Sequence, residues 1–227
     1  GSIKMSATIN QNYLKLNESY LFAEIARRIR EWQSAHPELS SQLIRMGIGD
    51  VTRPLPKTVV DAMVKAAQEM GQAESFHGYG PEQGYDFLKT AIQSYYKKFG
   101  VQLALDEIFI SDGAKSDLGN ILDLFDEKNT VLVTDPVYPV YVDTNMMSGR
   151  KIVYAMSSEE NGFLPLPAPE YRADIIYLCS PNNPTGAVYD REGLTKWVRF
   201  AQENNAILLF DAAYECFVTG DLPHSIY

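Results

Sequence analysis

The chain is expected to be an α/β protein: a mostly parallel sheet with helices on both faces. Three observations predict this. Thr130–Thr134, Ile152–Ala155, Ile175–Cys179 and Ala206–Phe210 are short apolar runs with little alternation, the pattern of strands buried on both sides. The runs before Asp135 and Ser180 break into proline-rich turns, Asp135-Pro136-Val137-Tyr138-Pro139 and Ser180-Pro181-Asn182-Asn183-Pro184-Thr185-Gly186. From about residue 107 the order strand, loop, helix repeats, and parallel neighbours need such crossovers.

Composition narrows the function classes. A chain of 227 residues with 45% hydrophobic content buries a large core and has room for one or two domains. A formal charge of −9 argues against a nucleic-acid partner, because phosphate backbones require a basic face. Cys179 and Cys216 lie in or just after predicted buried strands without metal-ligand spacing, so they read as inert core thiols in a reducing compartment, and no metal site is expected. No apolar run reaches the length of a membrane span and no signal-peptide pattern opens the chain. Gly1–Lys4 resembles an expression remnant, and the expected location is the cytoplasm.

In chain order, an irregular arm at Asn10–Asn17 holds Tyr13 and Leu14. A helix follows from about Tyr20 to Ala35, where Leu21, Phe22, Ile25, Ala26, Ile29 and Trp32 form one stripe opposite Glu24, Arg27, Arg28, Arg30 and Glu31. Leu43–Ile48 reads as extended and breaks at the Gly49 to Pro56 loop, where Asp50 and Arg53 form at most a local ion pair. A second helix starts at Pro56 and is capped by Gly71. The glycine-dense loop Phe76–Gly84 groups His77, Tyr79, Glu82 and Gln83 before a helix ending at Gly100. His77 is read as a loop hydrogen-bonder.

Ile108–Ser111 is expected as a strand running into Asp112-Gly113-Ala114-Lys115-Ser116-Asp117 and a helix to about Phe125. Strand, glycine and helix N-terminus together make an anion site, since unpaired first-turn amides and the helix dipole point at one spot. The glycines do not follow Gly-x-Gly-x-x-Gly, which favours a monophosphate over a dinucleotide. Tyr138 sits in a proline-bracketed loop suited to a rigid aromatic plate. Asn161–Tyr171 is a proline-rich connection.

The two last strand ends carry the chemistry. Asn183 follows one and Asp211 terminates the other, with Tyr214 three residues on. A carboxylate ending a buried strand is costly unless it meets a cation or a protonated partner. Ser180-Pro181-Asn182-Asn183-Pro184-Thr185-Gly186 and Phe210-Asp211-Ala212-Ala213-Tyr214-Glu215 together resemble the fold type I aminotransferases, which use pyridoxal 5′-phosphate (PLP). Almost the whole chain shares the resemblance. Tyr13-Leu14-Lys15-Leu16, Gly47-Ile48-Gly49-Asp50, Gly78 to Gly84 and Ser111 to Lys115 look like the LL-diaminopimelate aminotransferase subgroup.

The resemblance implies PLP as cofactor and transamination of LL-2,6-diaminopimelate with 2-oxoglutarate, the interconversion with tetrahydrodipicolinate in lysine biosynthesis. By it, Tyr79, Ala114, Lys115, Tyr138, Asn183, Asp211 and Tyr214 bind the cofactor. Asp211 pairs with the ring nitrogen, Asn183 and Tyr214 with the phenolic oxygen, Tyr138 stacks on the ring, and Ala114, Lys115 and Tyr79 reach the phosphate. Tyr13, Gly49, Glu82, Lys115, Tyr138 and Asn183 hold the substrate. The implied assembly is a homodimer in which Tyr79 and Glu82 act across the interface.

The implied domains are an N-terminal arm with part of a smaller domain at 1–49 and a PLP-dependent transferase-like large domain at 50–227, the latter incomplete. The Schiff-base lysine of the resemblance, in a Ser-x-Ser-Lys segment, is expected beyond Tyr227, so no catalytic residue is assigned within these residues and the chain alone is expected to be inactive. An aspartate or aromatic aminotransferase is the alternative within the class, and a non-catalytic module of the same fold the alternative outside it.

Overall fold

The computed structural model describes residues 6–16, 21–46 and 51–227. They divide into two compact units, one of Gly1–Leu16 with Glu82–Tyr227 and one of Asn17–Pro81. The expected domain division at 49/50 is drawn on different grounds from these units.

In the second unit, α1 (Leu21–Ala35) and α2 (Lys57–Met70) are the regular elements. The polar face of α1 is laced by ion pairs at helical spacing, Glu24 to Arg27 at 2.6 Å and to Arg28 at 2.8 Å, with Arg27 also meeting Glu31. Pro56 is the N-cap of α2 and Gly71 its C-cap. Of the expected extended segment at 43–48, residues 43–46 have no regular structure and the rest lies outside the described residues.

The first unit holds the sheet. Its strands are β1 (Val131–Asp135), β2 (Ile152–Met156), β3 (Ile175–Cys179) and β4 (Ile207–Asp211), in the order β2-β1-β3-β4, all parallel. The helices of this unit are α3 (Asp86–Lys97), α4 (Ala114–Asn120), α5 (Pro139–Met147) and α6 (Arg191–Asn204). Strand side chains alternate between two cores. Leu132, Ala155, Ile176 and Leu178 pack with Leu194, Trp197 and Phe200 of α6. Val131, Val133, Ile175, Tyr177 and Cys179 pack on the other face with Tyr141 of α5 and Leu122. Every residue of β3 is buried, which explains its unbroken apolar run.

Ile108–Ser111 departs from expectation. It is not a strand of the sheet. Instead the Ile110 amide donates to the Gln83 carbonyl (3.0 Å), and the Gln83 side chain donates to the carbonyls of Ile108 (3.0 Å) and Leu105 (3.3 Å). These bonds strap the Glu82 loop to the segment that leads into α4. Gly84 lies at φ +109°, and a Cβ there would come within 2.3 Å of Ile110, so this strap admits only glycine at its crossing point.

The arm containing Tyr13 docks on α5. Asn10 donates to the Met147 carbonyl at 2.8 Å and Asn12 does so at 3.4 Å, satisfying a carbonyl at the end of that helix. The short helix α4 is continued by a 3-10 turn at Ile121–Leu124. Buried Arg150 secures that turn: it donates to the carbonyls of Leu122 (3.0 Å), Phe125 (2.6 Å) and Asp126 (3.2 Å) and to Asn145 (3.4 Å). Replacing it would orphan several carbonyls at once. Arg150→Met is expected to lower unfolding stability by about 3 kcal/mol in urea titration, while Lys151→Met at the exposed neighbouring position should change it by less than about 0.5 kcal/mol.

Candidate active site

In a parallel sheet, ligand crevices form at the carboxyl ends of the strands. Here β3 and β4 end in register at Cys179 and Asp211. The loop after β3 is built as a frame. Ser180 donates its amide to the Asp211 carbonyl (3.2 Å) and accepts the Tyr189 amide on Oγ (3.0 Å). Buried Asn182 exchanges backbone bonds with Ala187 (2.9 Å) and Gly186 (2.8 Å), and its side-chain amide donates to Thr185 Oγ1 (2.9 Å) and the Pro136 carbonyl (3.2 Å). Gly186, at φ +72°, makes the reversal possible. Asn182 is therefore the loop's fastener, which leaves Asn183 half-buried at the cavity.

That cavity, about 180 Å³, is lined by Ala114, Lys115, Leu118, Tyr138, Cys179, Asn183, Asp211, Ala213 and Tyr214. Larger clefts of about 400 and 590 Å³ lie against α6. The smaller one is the candidate site, because there two strand ends, a helix start and a carboxylate converge. Ala114, Lys115, Tyr138, Asn183, Asp211 and Tyr214, expected from sequence, all come together in it. Tyr13, half-exposed on the arm, and exposed Glu82 are not among its lining residues. Tyr79 is fully exposed in the other unit, and Gly49 lies outside the described residues.

Asp211 is held at both oxygens. Its Oδ2 accepts from the Tyr141 hydroxyl (2.5 Å) and its Oδ1 from the Ala213 amide (3.0 Å). Tyr141 is completely buried, stacked on Tyr177 at 4.8 Å and edge-on to Tyr138 at 5.8 Å. Asn145 ties the stack together by donating to the Tyr141 carbonyl (2.7 Å) and the Tyr177 hydroxyl (3.2 Å). Sequence reasoning missed Tyr141. The available signal was Tyr138-Pro139-Val140-Tyr141: with Pro139 opening α5, the two tyrosines lie three apart and share a face.

Burial dominates the electrostatics of the site. Burial, then the nearby Cys179 and Asp211, pushes the Tyr141 phenol far above its ordinary range. Burial, then Asp211, also raises the Cys179 thiol, whereas Cys216, expected in the core, is exposed because it falls in the turn past the end of β4. At the other end, Gly113 adopts φ +144° and has no side chain to cap α4, and its amide donates to Ser111 Oγ at 3.2 Å. Among the described residues, no cluster of three or more His, Cys, Asp or Glu is arranged to hold a metal ion, and no helix is long and apolar enough to cross a membrane.

A phenol whose folded pKa exceeds its unfolded value near 10 keeps its proton in the folded state after the unfolded chain has lost it. Its stabilisation is complete below pH 10 and is lost as pH rises above that. Unfolding free energy should therefore fall with pH above 10, and Tyr141→Phe should reduce that slope by about 1.4 kcal/mol per pH unit. Urea melts between pH 9 and 11 check this, and an unchanged slope would show that Tyr141 ionises normally.

A profile of the family described as aminotransferase class I and II matches residues 41–226. The LL-diaminopimelate aminotransferase of Methanosphaera stadtmanae is 52% identical, over 98% of this chain and 57% of its own length. That of Phocaeicola vulgatus is 51% identical, over 97% and 56% respectively. The solved L,L-diaminopimelate aminotransferase from Chlamydomonas reinhardtii superposes with a TM-score of 0.89 at 44% identity, covering 98% of this chain and 57% of that one. The chain thus spans a little over half the length of these relatives, with the sheet, the strand-end loops and the cavity inside the shared region. The chain belongs to the class I and II aminotransferases.

Proposed function

We propose that the protein is a PLP-dependent aminotransferase that interconverts LL-2,6-diaminopimelate and tetrahydrodipicolinate, with 2-oxoglutarate as amino acceptor, in lysine biosynthesis. The observation that carries this reading is Asp211, fixed by Tyr141 and Ala213 at the mouth of paired strand ends, in a cavity that also presents Asn183, Tyr138, Tyr214 and the start of α4. The names of the relatives support the substrate.

The donor set fits PLP. When bound, the cofactor supplies an electron-withdrawing pyridinium ring that acidifies the α-carbon of an amino acid. Asp211 holds the ring-nitrogen proton; its two hydrogen bonds stop the carboxylate from rotating away. Tyr138 offers a flat face to the ring, edge-packed on Tyr141. Asn183 and Tyr214 serve the phenolic oxygen. The amides of Ala114 and Lys115 serve the phosphate, where a capless glycine at 113 leaves room for an anion. Lys115 is the one lysine in the cavity lining, and its place at the start of α4 suits it to the phosphate and substrate carboxylate, not to proton transfer at the α-carbon.

Tyr13, Gly49, Glu82, Lys115, Tyr138 and Asn183 hold the substrate in this reading, and Tyr79 and Glu82 act across a homodimer interface. Glu82 separates diaminopimelate from the substrates of an aspartate or aromatic aminotransferase: the distal end of diaminopimelate carries an ammonium for which a carboxylate is the natural partner. The Gln83 strap sets the loop that presents Glu82. In the complete protein, Glu82→Gln should lower kcat/KM for LL-diaminopimelate by roughly 1.5–3 kcal/mol and leave glutamate as donor nearly unchanged. Equal losses for both donors would remove Glu82 from the distal ammonium, and absence of transamination in the unaltered complete protein would remove the reading itself.

A further inference from the structure

Immediately after Tyr214, the chain enters a short 3-10 turn at Glu215–Phe217, where Glu215 is not among the cavity-lining residues and belongs to a second cluster. Glu215 is shielded, 13% exposed at its side chain. Both of its oxygens are taken: Tyr95 of α3 donates its hydroxyl to Oε1 (2.5 Å), and the His224 ring nitrogen Nδ1 lies 2.6 Å from Oε2. His224 in turn stacks on Phe99 at 3.9 Å and 12°, and Phe99 packs edge-on to Tyr95 at 5.3 Å. The bond to Glu215 pushes the Tyr95 phenol up to about 12.

One carboxylate thus joins α3 to the turn after β4, 120 residues on, and that turn to His224 nine residues further along. A hydrogen bond to a charged acceptor that is shielded from water is stronger than an exposed one, and a carboxylate with both oxygens engaged has a fixed orientation. Among the described residues, the backbone of Tyr214 is tied down by the bonds of its turn. The turn's bonds are Glu215 N–H to the Ala212 carbonyl, Phe217 N–H to the Tyr214 carbonyl and Val218 N–H to the Glu215 carbonyl, each 3.0 Å. Tyr214 is 42% exposed, so little packing holds its ring.

We infer that Glu215, clamped by Tyr95 and His224, is a positioning residue: it locks the turn that aims Tyr214 into the cavity. The inference deepens the proposed function, since it takes Tyr214 as a cofactor contact, but the clamp itself does not depend on that reading. A merely structural clamp would stabilise the fold and leave ligand affinity alone. A positioning clamp acts through Tyr214, so its effect on affinity must vanish once the Tyr214 hydroxyl is gone.

The experiment uses the complete protein with Tyr95→Phe, which deletes one hydroxyl from a packed ring, and Glu215→Gln, which keeps the side chain's shape. Amide hydrogen exchange reads the turn, and PLP affinity is read by absorbance. The expected result is exchange about tenfold faster at 215, 217 and 218 in both variants, with PLP bound about tenfold more weakly. In a Tyr214→Phe background, Tyr95→Phe should weaken PLP no further. Unchanged exchange at these amides would overturn the clamp, and equal loss of affinity in both backgrounds would overturn its action through Tyr214. Failure of the unaltered protein to bind PLP would instead overturn the cofactor reading, with the exchange measurement still deciding the clamp.

Discussion

The site depends on a carboxylate that a buried parallel strand delivers to its own end. Asp211 lies opposite Cys179, beside a fully apolar strand, where an unsatisfied charge would cost several kcal/mol. The chain meets that cost with a phenol from α5 and an amide from two residues ahead. The phenol is held rigidly. The Tyr141 ring has no exposed surface and is stacked against Tyr177, so the donor cannot swing out of reach of Asp211. The same two bonds fix the direction in which the carboxylate faces the cavity.

The surrounding architecture extends that rigidity outward. Tyr177 belongs to β3, Tyr141 to α5, and Asn145 hydrogen-bonds both, while Arg150 reaches from the end of α5 to the carbonyls that close the turn after α4. The element that opens at Ala114 and the element that carries Asp211 are thus tied to one core face. On the far side, Tyr95, Glu215 and His224 brace the turn after β4. The cavity is small because its walls are strand ends and helix starts, elements whose backbone positions are set by the sheet.

How much of this was legible in the sequence depends on range. Strand bodies were, since burial on both faces writes an unbroken apolar run such as Ile175–Cys179, and strand ends were, since proline and glycine must turn there. Ile108–Ser111 was misread because three apolar residues in a row fit a strand, while the partner that captured the segment, Gln83, is a loop residue with no strand signature. Cavity residues were recovered because they stand in short motifs on successive elements. Tyr141 escaped because its partner is seventy residues away, and Glu215 because the tyrosine that fixes it, Tyr95, lies 120 residues earlier. Motifs report what one stretch of backbone does; a hydrogen bond between distant stretches leaves no local trace.

At the centre of the proposed site, Asp211, fixed by Tyr141, would hold a proton on the ring nitrogen of PLP. Nitrogen-15 NMR of the complete protein loaded with ring-labelled PLP tests it directly. The nitrogen should show the shift of a protonated pyridine in the unaltered protein at neutral pH and move toward the unprotonated shift in Asp211→Asn. An unprotonated ring nitrogen in the unaltered protein, or a shift that Asp211→Asn leaves in place, would contradict it.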